Sequence, residues 1–231
     1  MQLTDNFRQA MQDYIFLLEK KYPQKAIHHL VSTRYALNHF ERSMLYRGIT
    51  TQKTAEERKK RLLVLDNSDQ KQETRNLEPF LLHIDLFNVL FTIAAYLRGY
   101  PVYISNDGLV RDASESHDCA DWEQHLEKGL DLVLQSVDNM HVEKAVFYLD
   151  SPLPLCQSIA EKITNDGKNI QTDVEIILHE SPDHLLHNAF EGIIATSDST
   201  IIDKSTLPIL DLVRHLLEHR FEAKLPRLSN D

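Results

Sequence analysis

The sequence predicts an α/β protein, a parallel sheet flanked by helices, preceded by a small helical module. Two observations carry that prediction. Through residues 1–62 apolar residues recur at three- and four-residue steps, whereas from residue 79 onward short unbroken apolar runs alternate with amphipathic stretches. Charge divides the chain at the same place. Residues 1–62 hold 12 Lys+Arg against 6 Asp+Glu and residues 63–231 hold 13 against 29, so the net charge of −10 conceals a basic part of +6 and an acidic part of −16. Such asymmetry suggests a polyanion-facing part joined to something else, or two parts that attract each other.

The elements follow in order. From Asn6 to Glu19, the residues Phe7, Ala10, Met11, Tyr14, Phe16, Leu17 and Leu18 fall on helical spacing. Tyr22-Pro23 ends that helix, because Pro cannot continue the hydrogen-bond ladder. A second helix runs through Ala26, Ile27, Leu30 and Val31, and a third through Phe40, Met44, Leu45 and Tyr46, stopped by Gly48. These form the module, 1–62. Residues 63–78, polar from Asp66 onward, read as a linker. Residues 79–231 form the α/β domain. Its expected strands are Phe80 to Asp85, Tyr100 to Ser105, Lys144 to Leu149, Val174 to Leu178 and Gly192 to Thr196. Asn106-Asp107-Gly108 turns the second of these into Leu109-Val110-Arg111. Helices are expected at Asn88 to Leu97, Asp121 to Val137, Leu155 to Ile163, Pro182 to Phe190 and Leu207 to His219. Strands that are apolar throughout belong to a parallel sheet covered on both faces.

Composition excludes several classes. No apolar run approaches the roughly 18 residues that span a bilayer, so no membrane partner is expected. Met1-Gln2-Leu3-Thr4-Asp5 lacks the basic start and apolar stretch of a signal peptide. Two cysteines, Cys119 and Cys156, fit a reducing compartment, and together these features predict a soluble cytoplasmic protein. Six glycines allow neither a GxGxxG fingerprint nor a P-loop. His215-Leu216-Leu217-Glu218-His219 fits an HxxEH pattern, but the third ligand such zinc peptidases need well downstream is missing, so it reads as a polar helix face.

In an open parallel sheet, ligands bind beyond the carboxyl ends of the strands. Those ends are acidic here. The first strand ends in Asp85, with Asn88 one helical turn on; another ends in Asp150; Asp183 opens the helix after Val174 to Leu178. Gly192 to Thr196 runs into Thr196-Ser197-Asp198, with Asp203 beyond. Crowded carboxylates repel one another, and their pKa values rise unless a cation lies between them. Mg²⁺ or Mn²⁺, hard ions that prefer oxygen, would resolve the repulsion and could activate water for attack on a phosphate. Taken singly, each aspartate also reads as a helix N-cap.

The pieces Leu82-His83-Ile84-Asp85-Leu86-Phe87-Asn88, Val146-Phe147-Tyr148-Leu149-Asp150, Ser181-Pro182-Asp183 and Ile193-Ile194-Ala195-Thr196-Ser197-Asp198 resemble, in this order, PIN-like domains, and most of all their NYN branch of metal-dependent nucleases. The N-terminal part, with Tyr22-Pro23, Arg34-Tyr35 and Leu45-Tyr46-Arg47-Gly48, resembles the leading module of an uncharacterised prokaryotic family joined to such a domain; that family carries no activity over. The nuclease resemblance implies Asp85, Asp150, Asp183 and Asp198 as catalytic acids, with Asp85, Asp150 and Asp198 on the metal. It implies Asn88 as a residue that orients ligands, supported by Thr196, Ser197 and Asp203. NYN domains often carry two adjacent acids where this chain has Asp183-His184. A further acid is open among Asp112, Glu115 and Asp118, with Asp112 favoured because it follows a predicted strand. The expected function is metal-dependent hydrolysis of RNA or DNA phosphodiesters. Lys53, Arg58, Lys59, Lys60 and Arg61 would track the nucleic-acid backbone by counterion release. A homo-oligomer is left open. The alternative is a non-catalytic protein, a scaffold that binds nucleic acid or protein and keeps the fold, its carboxylates capping helices or binding a structural ion.

Overall fold

The computed structural model describes residues 3–63, 80–114, 119–140 and 142–229. The expected linker from residue 64 onward, Glu115 and Asp118 lie outside the described residues.

The module opens with α1 (Asp5–Glu19), capped by the Thr4 side chain accepting from the Phe7 N–H, and it buries Phe7, Ala10, Met11 and Tyr14. Pro23 stands at the N-cap of α2 (Gln24–Arg34). A reciprocal capping box between Asn38 and Glu41 starts α3 (His39–Gly48). A fourth helix, α4 (Gln52–Lys59), was not expected from the sequence. Its one aliphatic residue, Ala55, gives no apolar period to read.

The module does not stand apart from the domain. Its cluster of Phe7, Met11, Tyr14, Val31, Met44 and Leu45 closes on Tyr103, Ala113 and Leu228. Gly48 ends α3 as expected and also serves this contact: a Cβ there would lie 2.6 Å from the Tyr103 ring and 2.7 Å from Leu228. The chain then enters the sheet directly as β1 (Leu62–Leu63), so Leu63, expected to open the linker, pairs in a ladder.

The remaining elements are β2 (Leu81–Asp85), α5 (Leu86–Leu97), β3 (Val102–Ile104), β4 (Val110–Asp112), α6 (Cys119–Asn139), β5 (Lys144–Asp150) and α7 (Cys156–Asp166). After them come β6 (Asp173–His179), α8 (Pro182–His187), β7 (Ile193–Ala195), α9 (Ser199–Lys204), β8 (Ile209–Leu210) and α10 (Leu212–Phe221). Six strands pair in the order β1-β8-β7-β2-β5-β6, all parallel, and β3 with β4 forms a separate antiparallel hairpin. The α/β class with a parallel sheet is as expected. The helix expected from Leu207 starts at Leu212 instead, because Ile209 and Leu210 pair with both β1 and β7 as β8.

Alternation along the strands builds two apolar layers. Leu82, Ile84, Ala145, Phe147 and Leu149 point to the layer with α5, α6, α7 and α10. Val146, Tyr148 and Ile194 point to the layer that holds Leu186 of α8 and Ile201 and Ile202 of α9. Gly192 turns the chain into β7 at φ 91°, and a Cβ there would lie 2.6 Å from the Leu81 carbonyl oxygen. Gly192→Ala is therefore expected to cost at least about 1–2 kcal/mol, read as a lower urea midpoint with an unchanged slope.

Candidate functional site

Connections leaving β2 and β7 diverge. From β2 the chain moves toward β5 and β6 through helices on one face; from β7 it moves the other way to β8 through α9 on the opposite face. The crevice at the carboxyl ends of these two neighbours is the topological switch point of the sheet. Asp85 ends β2, and the adjacent register Ile84 opposite Ala195 puts Thr196 beside it.

Asp85 is 5% exposed. It stands at the N-cap of α5, yet its side chain makes no capping bond. Among the described residues its one hydrogen-bond partner is the Thr196 hydroxyl, which donates to Oδ2 at 2.7 Å. Burial pushes its carboxyl up to about 7; the Thr196 bond is the main opposing effect, and the charges of Asp198, Asp183 and Asp150 each add a lesser upward push. Asp150 is raised as well, by burial first and then by Asp183. The charges of Asp150, Asp183 and Asp198 are thus all felt at Asp85, the most deeply buried of the four.

Their roles differ. Asp198 caps α9, accepting from the Thr200 N–H at 2.6 Å and the Ile201 N–H at 3.1 Å. The N-cap reading therefore holds for Asp198 and fails for Asp85. Asp183 is exposed in the first turn of α8. Asn88 does not face open space: its Oδ1 accepts from the Ser197 N–H at 2.9 Å and the Ser197 hydroxyl at 3.0 Å, fixing the loop after β7. Donor type and excess negative charge suit a hard divalent cation. Among the described residues, however, no three His, Cys, Asp or Glu side chains lie close enough to form a ready-made metal cage.

Asp112 and Asp203 serve structure elsewhere. Asp112 is buried, accepts from the Ser114 N–H and hydroxyl and from Thr92, and lies 3.7 Å from Arg47. Asp203 accepts a two-pronged contact from Arg58, at 2.7 Å on each oxygen.

That contact overturns the expected surface role of the basic run for two of its members. Arg58 is 7% exposed and also donates to Asp107 at 2.8 Å. Arg61 donates to the carbonyls of Ile202 and Ser205, both at 2.6 Å. Both guanidinium groups dock the module on the domain. Lys53, Lys59 and Lys60 remain exposed.

Sequence reasoning missed the partner of this contact. Asp107, in the β3–β4 turn, is gripped from the other side by Arg111 at 2.8 and 3.0 Å. Burial alone would raise the Asp107 carboxyl, but Arg111, Ser105 and Arg58 together hold it well below the usual carboxylate range. Arg111 also donates to the Ser197 carbonyl at 3.1 Å and the Ser199 hydroxyl at 3.4 Å. One buried network thus ties α4 and the hairpin to the loop that carries Thr196 and Asp198. Arg111 has a signal in the sequence, a cation inside a predicted strand four residues after an acid; such a residue is buried only when paired. Of the histidines, His83, two residues before Asp85, bridges Tyr148 and the Glu191 carbonyl, and the His215 ring lies tilted against that of His219 with ring centres 4.1 Å apart.

Comparison with known proteins adds kinship. Residues 6–61 match a family described as Protein of unknown function (DUF434). An uncharacterized protein of Methanocaldococcus jannaschii is 25% identical over 215 residues, covering 93% of this chain and 98% of its own length. No solved structure matches. Residues 74–215, which hold the crevice and all four of its acids, match the family described as Domain of unknown function (DUF5616), and the chain belongs to that family.

Proposed function

We propose that the chain is a divalent-metal-dependent nuclease that hydrolyses RNA or DNA phosphodiesters at the Asp85 crevice. The observation that supports this reading most is Asp85 itself. A carboxylate this buried, capping nothing and bonded to one hydroxyl, is costly to keep unless its charge has a use. Asp85, Asp150 and Asp198 would hold Mg²⁺ or Mn²⁺. When bound, the ion would polarise the phosphate and neutralise developing charge. Asp85 would hold the cation as a carboxylate, its orientation kept by the Thr196 hydroxyl. Asp183, exposed at the rim, accepts the proton of the attacking water. Lys53, Lys59 and Lys60 supply the phosphate contacts on the module.

A second reading, a non-catalytic scaffold, draws on the cap bonds of Asp198 and on the lack of three metal-spaced ligands among the described residues. The experiment that separates the two is Mn²⁺-dependent cleavage of single-stranded RNA and DNA. Asp85→Asn and Asp150→Asn should each lower the rate by at least roughly 100-fold, since tenfold corresponds to about 1.4 kcal/mol of lost charge stabilisation, with circular dichroism unchanged. Wild-type protein that neither cleaves either substrate nor takes up Mn²⁺ by calorimetry would establish the scaffold reading.

A further inference from the structure

We infer that the outer edge of β6 pairs with β6 of a second copy of this chain, antiparallel, about a two-fold axis at Ile176. Among the described residues β6 ends the six-stranded sheet, and it runs seven residues, Asp173–His179, fully in register with β5 on its inner side. The strand at the opposite end, β1, spans two residues. A long regular edge presents unpaired backbone groups ready to take another strand.

The backbone fixes which groups those are. The Asp173 N–H donates inward to the Glu143 carbonyl at 3.2 Å, and the His179 carbonyl accepts inward from Ser151 at 2.9 Å. Along a strand these directions alternate, so Val174, Ile176 and Leu178 turn their N–H and C=O groups outward. An antiparallel register centred on Ile176 sets Val174 opposite Leu178 of the second copy, Ile176 opposite Ile176, and Leu178 opposite Val174. Each pair can exchange both backbone bonds. The same residues form one apolar row, and Leu178, 46% exposed, would be covered by it.

Charge favours this register. It uses the whole strand and sets Asp173 across from His179 of the second copy, twice over by symmetry. Centring on Glu175 instead would oppose two like carboxylates. Because the pairing is antiparallel, the two Asp85 crevices open on opposite edges of the joined sheet and neither covers the other.

Sedimentation of the full-length chain at high micromolar concentration tests the proposal. Wild type should sediment as a dimer. Ile176→Pro should be monomeric with its circular dichroism retained, since the Ile176 N–H points away from β5 and proline removes only the outward bond. His179→Asp should weaken the dimer about tenfold, because two carboxylate–carboxylate pairs replace two carboxylate–imidazole pairs. The exchanged variant Asp173→His with His179→Asp should restore it. If Ile176→Pro fails to fold, the loss and recovery across the charge exchange decide the matter alone. A wild type that stays monomeric overturns the inference, as does a dimer indifferent to these substitutions, which would use another surface.

Discussion

Asp107→Ala is expected to lower the stability of the whole chain by about 3–5 kcal/mol, the loss seen when one partner of a buried ion pair is removed. Arg111, 4% exposed, would keep only hydroxyl and carbonyl partners, and Arg58 would keep only Asp203 and Ser199. Neither cation can reach water without moving α4 or the hairpin. Urea unfolding at pH 7 measures the loss. Adding Arg111→Met to Asp107→Ala should return part of it, because the cation left without a carboxylate is then gone. The pH dependence has a definite sign. Asp107 is held below its ordinary pKa, so its contribution is complete above the unfolded-state value of about 4 and fades only as pH falls below that. The gap between variant and wild type should therefore be constant from pH 5 to 8, by this argument, and narrow in acid. A variant within about 0.5 kcal/mol of wild type at neutral pH would show that the network does not hold the module in place.

What the sequence revealed follows from the physics of each feature. Strands β2 and β5 were legible because Leu81–Asp85 and Lys144–Asp150 are buried on both faces, which leaves nearly unbroken apolar runs. Their terminal aspartates were legible for the same reason: a charge that ends an apolar run marks where the strand leaves the core. β1 and β8 were not, since two residues cannot display a period. The buried network was hidden by distance along the chain. Arg58 meets Asp107 across 49 residues and Asp203 across 145. In a basic run after a short helix, Arg58 looks no different from its solvated neighbours Lys59 and Lys60. Asp107 was concealed by its setting, because Asn106-Asp107-Gly108 already satisfies the needs of a turn. The distinction between Asp85 and Asp198 was equally out of reach, since both precede a helix and only the bonds show which one caps it.

That distinction sets up the other large effect. The stability that Asp85→Asn adds to the metal-free protein should be about 2–4 kcal/mol larger at pH 8 than at pH 5. Asp85 is raised from an ordinary value near 3.8 to about 7, chiefly by burial, so folding favours its protonated form. Its stabilising contribution is complete below the unfolded-state pKa and is lost as pH rises through about 7. Asparagine keeps the shape and an oxygen to accept from Thr196, and it carries no charge to bury. Asp211, raised to about 6 by burial against weaker opposing bonds from Arg214 and Val110, lowers stability in both proteins as pH rises. His215, pushed down to about 4 by burial and His219, raises it in both, so the comparison between the two proteins isolates Asp85. The prediction is therefore a difference in slope: wild type should fall more steeply than the variant between pH 5 and 8, measured in urea with EDTA present. Mn²⁺ should reverse the order at pH 8 by stabilising wild type alone, because a ligand that binds only the folded form adds its binding free energy to stability. Parallel pH profiles without metal would mean that Asp85 is solvated enough to ionise freely, and the crowded crevice would lose its reason to recruit a cation.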